Sequence, residues 1–265
     1  MPLKSIVILF FGIVLLVPGR ALGNEFDTTT AVVISRLSGE INFDGMPDEE
    51  AWQIIEPFPM VTHTPVFGKE PTEITVIKLT FDDEYIYVGA EFHDSDPSKI
   101  QMTSKKRDEM SLGSDWLGII LDTYDDNENA VAFFTSPAGI RTDITIANDA
   151  NPTGSGPNSM PMSSSWNTFW DAKSLINEQG WFAEMRIPVS SLRFQDENGV
   201  VTMGVILFRW IPHLNEQLCY PAINQDYGEA GALKPSLAQT IVFHGLTSQR
   251  PLYVAPYAIT GFTQE

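Results

Sequence analysis

The chain has 265 residues, with 34 acidic and 16 basic side chains and a net charge of −18. Such a surface repels phosphate backbones and anionic lipid, which argues against a nucleic-acid partner and suits cations or neutral polar ligands. A hydrophobic content of 43% allows a sizeable core, and the single cysteine, Cys219, excludes an intrachain disulfide.

The first residues read as an export signal rather than as part of the fold. Lys4 supplies a short basic start, residues 6–17 are almost unbroken apolar sequence, and Ala21-Leu22-Gly23 is a small-residue cleavage site. A retained N-terminal anchor is the alternative, although the run is short for a membrane span. Cleavage at residue 23 removes Lys4 and Arg20 and takes the net charge from −18 to −20. The expected division is a signal peptide at 1–23, one β domain at 24–248, and a tail at 249–265.

Within that domain the apolar period is two, the signature of strands. Residues 74–82 and 85–93 flank the polar turn Asp82-Asp83-Glu84 and form a hairpin. In its second arm Ile86, Val88, Ala90 and Phe92 share one face and Tyr85, Tyr87, Gly89 and Glu91 the other. Further strands are predicted at 116–123, 130–136, 140–147, 170–176, 181–187, 202–211 and 239–246. Helix is confined to a short piece at 48–54 behind Pro47 and a turn at 189–192 after Pro188. The stretch 148–165, NDANPTGSGPNSMPMSSS, has almost no branched apolar residue and reads as a mobile loop. Many short strands with Gly, Pro and Asn turns predict an all-β, antiparallel β-sandwich. The tail, RPLYVAPYAITGFTQE, begins a new aromatic-rich alternation, which suits a linker, the first strand of a following membrane barrel, or a segment packed back on the sandwich.

Three side-chain constellations could carry function. Carboxylates crowd around one apolar run: Asp94 and Asp96 end the hairpin, Asp115 opens the run at 116–121, and Asp122 and Asp125 close it. Calcium takes six to eight oxygen ligands and is often held by such loops, so these five are candidate calcium ligands, with a solvated acidic loop as the alternative. Asp122 to Asn129 is not an EF-hand loop, lacking its sixth-position glycine and twelfth-position glutamate. No G-x-S-x-G elbow, H-E-x-x-H pair or phosphate-binding glycine loop occurs, and His63, His93, His213 and His244 are scattered. No enzyme is expected. Among the tryptophans, Trp52, Trp181 and Trp210 alternate with polar neighbours and are expected in the core, whereas Trp116, Trp166 and Trp170 lie near loops and are better placed to meet a ligand.

Several segments together resemble carbohydrate-binding module family 9: GEINFDGMPDEEAW (39–52), LTFDDEYIYVGAEFHDSDP (79–97), DWLGIILDT (115–123) and GWFAEMRIPVSSLRF (180–194), in that family's order. A closer likeness is to long bacterial proteins that carry such a domain ahead of an outer-membrane barrel. The positions of their pattern read here Arg107-Asp108, Ser114-Asp115-Trp116, with Trp116 in place of an acidic residue, Leu121-Asp122-Thr123 with Asp125, Ser136-Pro137-Ala138-Gly139 and Asp143, and RPLYVAPYA resembles their linker. The resemblance implies the sandwich fold and sugar binding. Family modules grip a sugar between two tryptophans, one shortly before the acidic strand and one near the domain's end. Here the first region reads SLGS (111–114) and the second, 226–234, offers only Tyr227, so no clamp residue carries over.

The first functional expectation is an exported, non-catalytic carbohydrate-binding module, with a loop-edge site at Arg107, Asp108 and an aromatic, Trp166 or Tyr227. The second is a periplasmic plug or partner-binding domain tethered to an outer-membrane barrel. The third is an accessory module of a glycoside hydrolase. Periplasm or cell surface is the expected location in each.

Overall fold

The computed structural model describes residues 30–154, 159 and 161–248. The predicted signal at 1–23 and tail at 249–265 lie outside them, as do five residues of the predicted loop at 148–165.

Among the described residues thirteen strands and one short α-helix follow in chain order. They begin with β1 (Val32–Ile34), α1 (Glu50–Gln53), β2 (Val61–Thr64), β3 (Thr75–Phe81) and β4 (Tyr85–His93). Next come β5 (Trp116–Asp122), β6 (Ala130–Thr135), β7 (Arg141–Ile146) and β8 (Met162–Ser163). The last five are β9 (Asp171–Asn177), β10 (Gly180–Pro188), β11 (Val200–Ile211), β12 (Glu216–Tyr220) and β13 (Gln239–His244). Nine of them form one sheet, ordered β1-β13-β11-β5-β6-β7-β8, with β12 and β2 added beside the second half of β11. The other four make a smaller antiparallel sheet, β3-β4-β10-β9. Only β1 on β13 pairs in parallel among the named strands. This is the predicted β-sandwich.

The hairpin shows why alternation succeeded. Asp82 accepts the backbone N–H groups of Glu84 and Tyr85 and closes the turn, so β3 and β4 pair in register along seven residues. Ile86, Val88, Ala90 and Phe92 then all reach the dry layer between the sheets, with Phe92 stacked on Trp181 at 4.3 Å. From the larger sheet Leu117, Ile119, Leu121, Phe133, Met203, Val205 and Leu207 fill the other side of that layer.

The motifs that carry the family resemblance turn out to be joints. α1 drops Trp52 onto the outer face of the smaller sheet at Gly89, where any Cβ would sit 2.9 Å from the indole. Glu184, from the 180–194 segment, accepts the Trp52 indole N–H and the backbone N–H groups of Asp44 and Gly45. Burial pushes the Glu184 carboxyl above its usual range, and those donors pull it back.

The short strands β1, β2, β8 and β12 were not predicted. β8 is two residues long and lies inside the stretch read as a loop, and β2 begins directly after Pro59-Met60, with no alternation long enough to register. Each is held by the neighbour it extends rather than by its own pattern.

Candidate ligand groove

The carboxylates around β5 divide by strand parity. Asp115 continues the inward row of Leu117, Ile119 and Leu121. It is fully buried and accepts one backbone N–H, from Gln101, while its second oxygen has no hydrogen-bond partner. Burial lifts its carboxyl to about 6, with the Gln101 donor and the Arg209 guanidinium opposing. Arg209 is itself buried. It donates to Thr75 and to the carbonyls of Ile74 and His93, lies 4.8 Å over the Phe92 ring, and is pulled down to about 10 by burial. Asp94 joins this group, 3.6 Å from His213.

Asp122 ends the outward row about 23 Å away at strand rise. It accepts backbone N–H groups from Tyr124, Asp126 and Asn127 and so ties the loop that follows. Asp125 sits in that loop with φ of 53°, and Asp96 pairs with Lys99 and Ser98 at the surface. The five candidate calcium ligands therefore do not form one cluster. Among the described residues no three His, Cys, Asp or Glu side chains are arranged to hold a metal. The residues present fit calcium poorly: both Asp122 oxygens are engaged by N–H donors, and Asp115 and Asp94 face a guanidinium.

Of the four candidate sugar-binding residues, Arg107 and Asp108 lie together and Tyr227 lines a different pocket. Arg107 donates to Asp143 and Asn167 and lies 3.4 Å from Asp108. The buried Asp143 further accepts from the Trp170 indole and the Thr168 backbone, so this network anchors the loop before β5 onto β7. A polar pocket of about 350 Å³ lies beside it, lined by Arg107, Arg141, Asn167, Thr168 and Phe169. Trp166 is half-buried and packs edge-on against Phe133 at 5.8 Å. Tyr227 lines a different pocket of about 220 Å³ with residues 221–224 and 236–238.

The tryptophan expectations are partly reversed. Trp52 and Trp181 are buried as expected, but Trp116 and Trp170, expected near a ligand, are only 3% and 2% exposed. Trp210, expected in the core, is half-buried on the outer face of the larger sheet. It stands there because β11 is apolar on both faces: Leu207 and Ile211 point into the sandwich, while Ile206, Phe208 and Trp210 point out.

That outer face holds a groove of about 670 Å³, within the range for small-molecule sites. Phe208, Trp210 and Phe134 form its floor, with Ile144 and Met162 continuing it toward β8. Gly118 makes the floor possible: a Cβ there would stand 2.4 Å from the Phe134 ring, so the missing side chain lets that ring lie across β5. Thr64, Asn215 and Gln217 supply polar groups at the β2–β12 end.

Two loops wall the groove. Met110 and Leu112 come from the segment before β5, which is pinned by two indoles: Trp116 donates to the Ser111 carbonyl and Trp210 to that of Leu112, both at 2.8 Å. So pinned, Leu112 is 82% exposed. Ala232 and Leu233 come from the run between β12 and β13. Its Lys234 ammonium is held by Asp149 at 2.9 Å and Asn151 at 2.6 Å, and the Ile223 carbonyl meets the buried His63 ring at 2.8 Å. These are the two regions, 111–114 and 226–234, where the resemblance placed a tryptophan clamp. The sequence offered the regions but hid the floor, because outward residues of a doubly apolar strand look like core.

No protein-family model matches the sequence, and no curated protein matches it. Among solved structures, a family 9 carbohydrate-binding module from Caldicellulosiruptor kristjanssonii, in complex with cellotriose, matches with a TM-score of 0.53 at 17% identity, covering 86% of this chain and 100% of that one. A structure of such a module from the same organism with glucose gives 0.54 at 16% identity, over 83% and 98%. A candidate carbohydrate-binding protein from Bacteroides uniformis gives 0.58 at 11% identity, over 81% and 99%. The chain thus has the fold of family 9 carbohydrate-binding modules.

Proposed function

We propose that the chain is an exported, non-catalytic carbohydrate-binding module and that its sugar lies in the groove over Trp210. One observation carries this: the two segments where the resemblance expects an aromatic clamp are the two walls of one groove, with a half-buried tryptophan between them. An indole face suits the apolar face of a pyranose, and Thr64, Asn215 and Gln217 stand at one end to meet hydroxyls. The solved modules with cellotriose and glucose support the ligand class. Export is supported by the apolar run at 6–17 and its cleavage site.

The test is titration of the purified chain with a panel of neutral mono- and oligosaccharides, read by tryptophan fluorescence and by melting temperature. A ligand at 100 times its Kd should stabilise by about 2.7 kcal/mol, several degrees for a domain of this size. No response to any sugar in a folded chain sinks the reading. Tethering to an outer-membrane barrel is the alternative suggested by the tail at 249–265, and it would make the same groove a partner site. The partners of these carboxylates argue against calcium, which predicts equal melting temperatures with calcium and with chelator.

A further inference from the structure

Strand register places the groove's lining in a single row across the larger sheet. Thr64 on β2 pairs with Gln217 on β12, and Gln217 pairs with Trp210 on β11. Two residues back on the same face, Phe208 pairs with Gly118 on β5 and Gly118 with Phe134 on β6. Phe134 pairs with Thr142, whose outward neighbour along β7 is Ile144. The next outward residue, Ile146, pairs with Met162 on β8. From β12 to β8 this row crosses five inter-strand steps, about 24 Å.

The row is sorted by chemistry. Its β2–β12 end carries a hydroxyl and two amides, its middle carries three aromatic rings, and its β7–β8 end carries only Ile144 and Met162. Both walls are aliphatic, and Met110 and Met162 are flexible thioethers that fit themselves to irregular apolar shapes. Among the described residues no acidic, basic or histidine side chain lines the groove, although the chain carries 34 acids. A charged ligand would lose its water there without gaining a counter-charge.

A chain of several sugars matches this row badly. One ring over Trp210 can reach Gln217 and Thr64, but a second ring over Phe134 and Ile144 would strip water from hydroxyls that find no side-chain partner. A hydrocarbon placed there loses nothing and gains burial. Building on the carbohydrate reading above, we propose that the groove takes a neutral amphiphile: one sugar head seated at Trp210, Asn215 and Gln217, with an alkyl or acyl chain running over Phe208 and Phe134 toward Met162.

The experiment compares methyl, hexyl and octyl glycosides of glucose, galactose and mannose, all below their micelle concentrations, with cellotriose and with octyl tri(ethylene glycol), which has the tail and no sugar. Binding is read by calorimetry on the purified chain. For the head group that binds, affinity should rise by up to about fourfold per methylene buried, with the octyl form at least thirtyfold tighter than the methyl form. Met162→Gln, a change at an exposed position, should remove most of the octyl gain and leave the methyl glycoside unchanged. Equal affinity of methyl and octyl forms, or a stepwise gain with cellotriose instead, overturns the amphiphile and leaves sugar binding standing. Octyl tri(ethylene glycol) binding as well as the best octyl glycoside removes the sugar head from both proposals. Silence from every probe sinks both readings together.

Discussion

Phe133 and Phe134 are neighbours on β6, both buried, and they belong to different parts of the molecule. Phe133 points inward, against Trp170 at 5.2 Å and the core between the sheets. Phe134 points outward, edge-on to Phe208 at 6.1 Å, and lines the groove. The inner face of the larger sheet packs its buried row against the smaller, four-stranded sheet. Among the described residues the outer face is covered by loops, which meet over Ile206 and Cys219 and part over Phe208 and Trp210. Apolar character is the same on both sides. What differs is the cover, so function follows from where the cover stops.

That contrast can be broken on either side. Phe133→Ala should cost about 3–5 kcal/mol of stability by opening a core cavity. In whatever remains folded, it should leave ligand affinity unchanged, read by urea unfolding beside a binding isotherm. The inward row also ends in a carboxyl that its surroundings tolerate poorly. Asp115 binds its proton more readily when folded, at about 6, than as a free carboxyl, at 3.8. Its contribution therefore favours the fold below pH 4 and is lost as pH rises toward 6. The stability of the native chain relative to Asp115→Asn should thus fall by up to about 3 kcal/mol between pH 4 and pH 7. A difference that stays flat across this window would show Asp115 to be ionised throughout.

On the outer face the expected effects on the fold are smaller and those on binding larger. Gly118→Ala forces the Phe134 ring off β5, at a cost of about 1–3 kcal/mol, and drives it into the groove, so affinity should drop as well. Retained affinity in that variant would mean the ligand does not use the floor beyond Trp210. Trp210→Ala should lower affinity at least tenfold, about 1.4 kcal/mol, while moving the melting temperature by only a few degrees, since its ring is only half-buried. If melting collapses and binding survives, Trp210 is a core residue after all.

Much of this was legible before any coordinates. Strict alternation with one dry face identified β4, and the turn chemistry of Asp82 set its register with β3, because side-chain period and backbone pleat are locked together. The motifs 39–52 and 180–194 were recognisable because Trp52 and Glu184 make one buried joint that few other residues could make. The site was not legible. Tryptophans near loops were expected to face a ligand, yet Trp116 and Trp170 spend their indole N–H groups on Ser111 and Asp143 and hold the loops from beneath. Carboxylates around one strand looked like a metal cluster, yet parity sends Asp115 inward to Arg209 and Asp122 outward to its own loop.

The amino-acid sequence alone determined the all-β class, the hairpin and most of the strands, since each is a short-range consequence of period two and turn residues. Only the tertiary structure decided which apolar residues are core and which are floor. That choice rests on what lies across from each side chain: for Phe133 a second sheet, for Trp210 an open groove between two loops anchored more than a hundred residues apart along the chain. No local pattern encodes a gap between distant segments, because burial is a property of the packed neighbours and not of the residue.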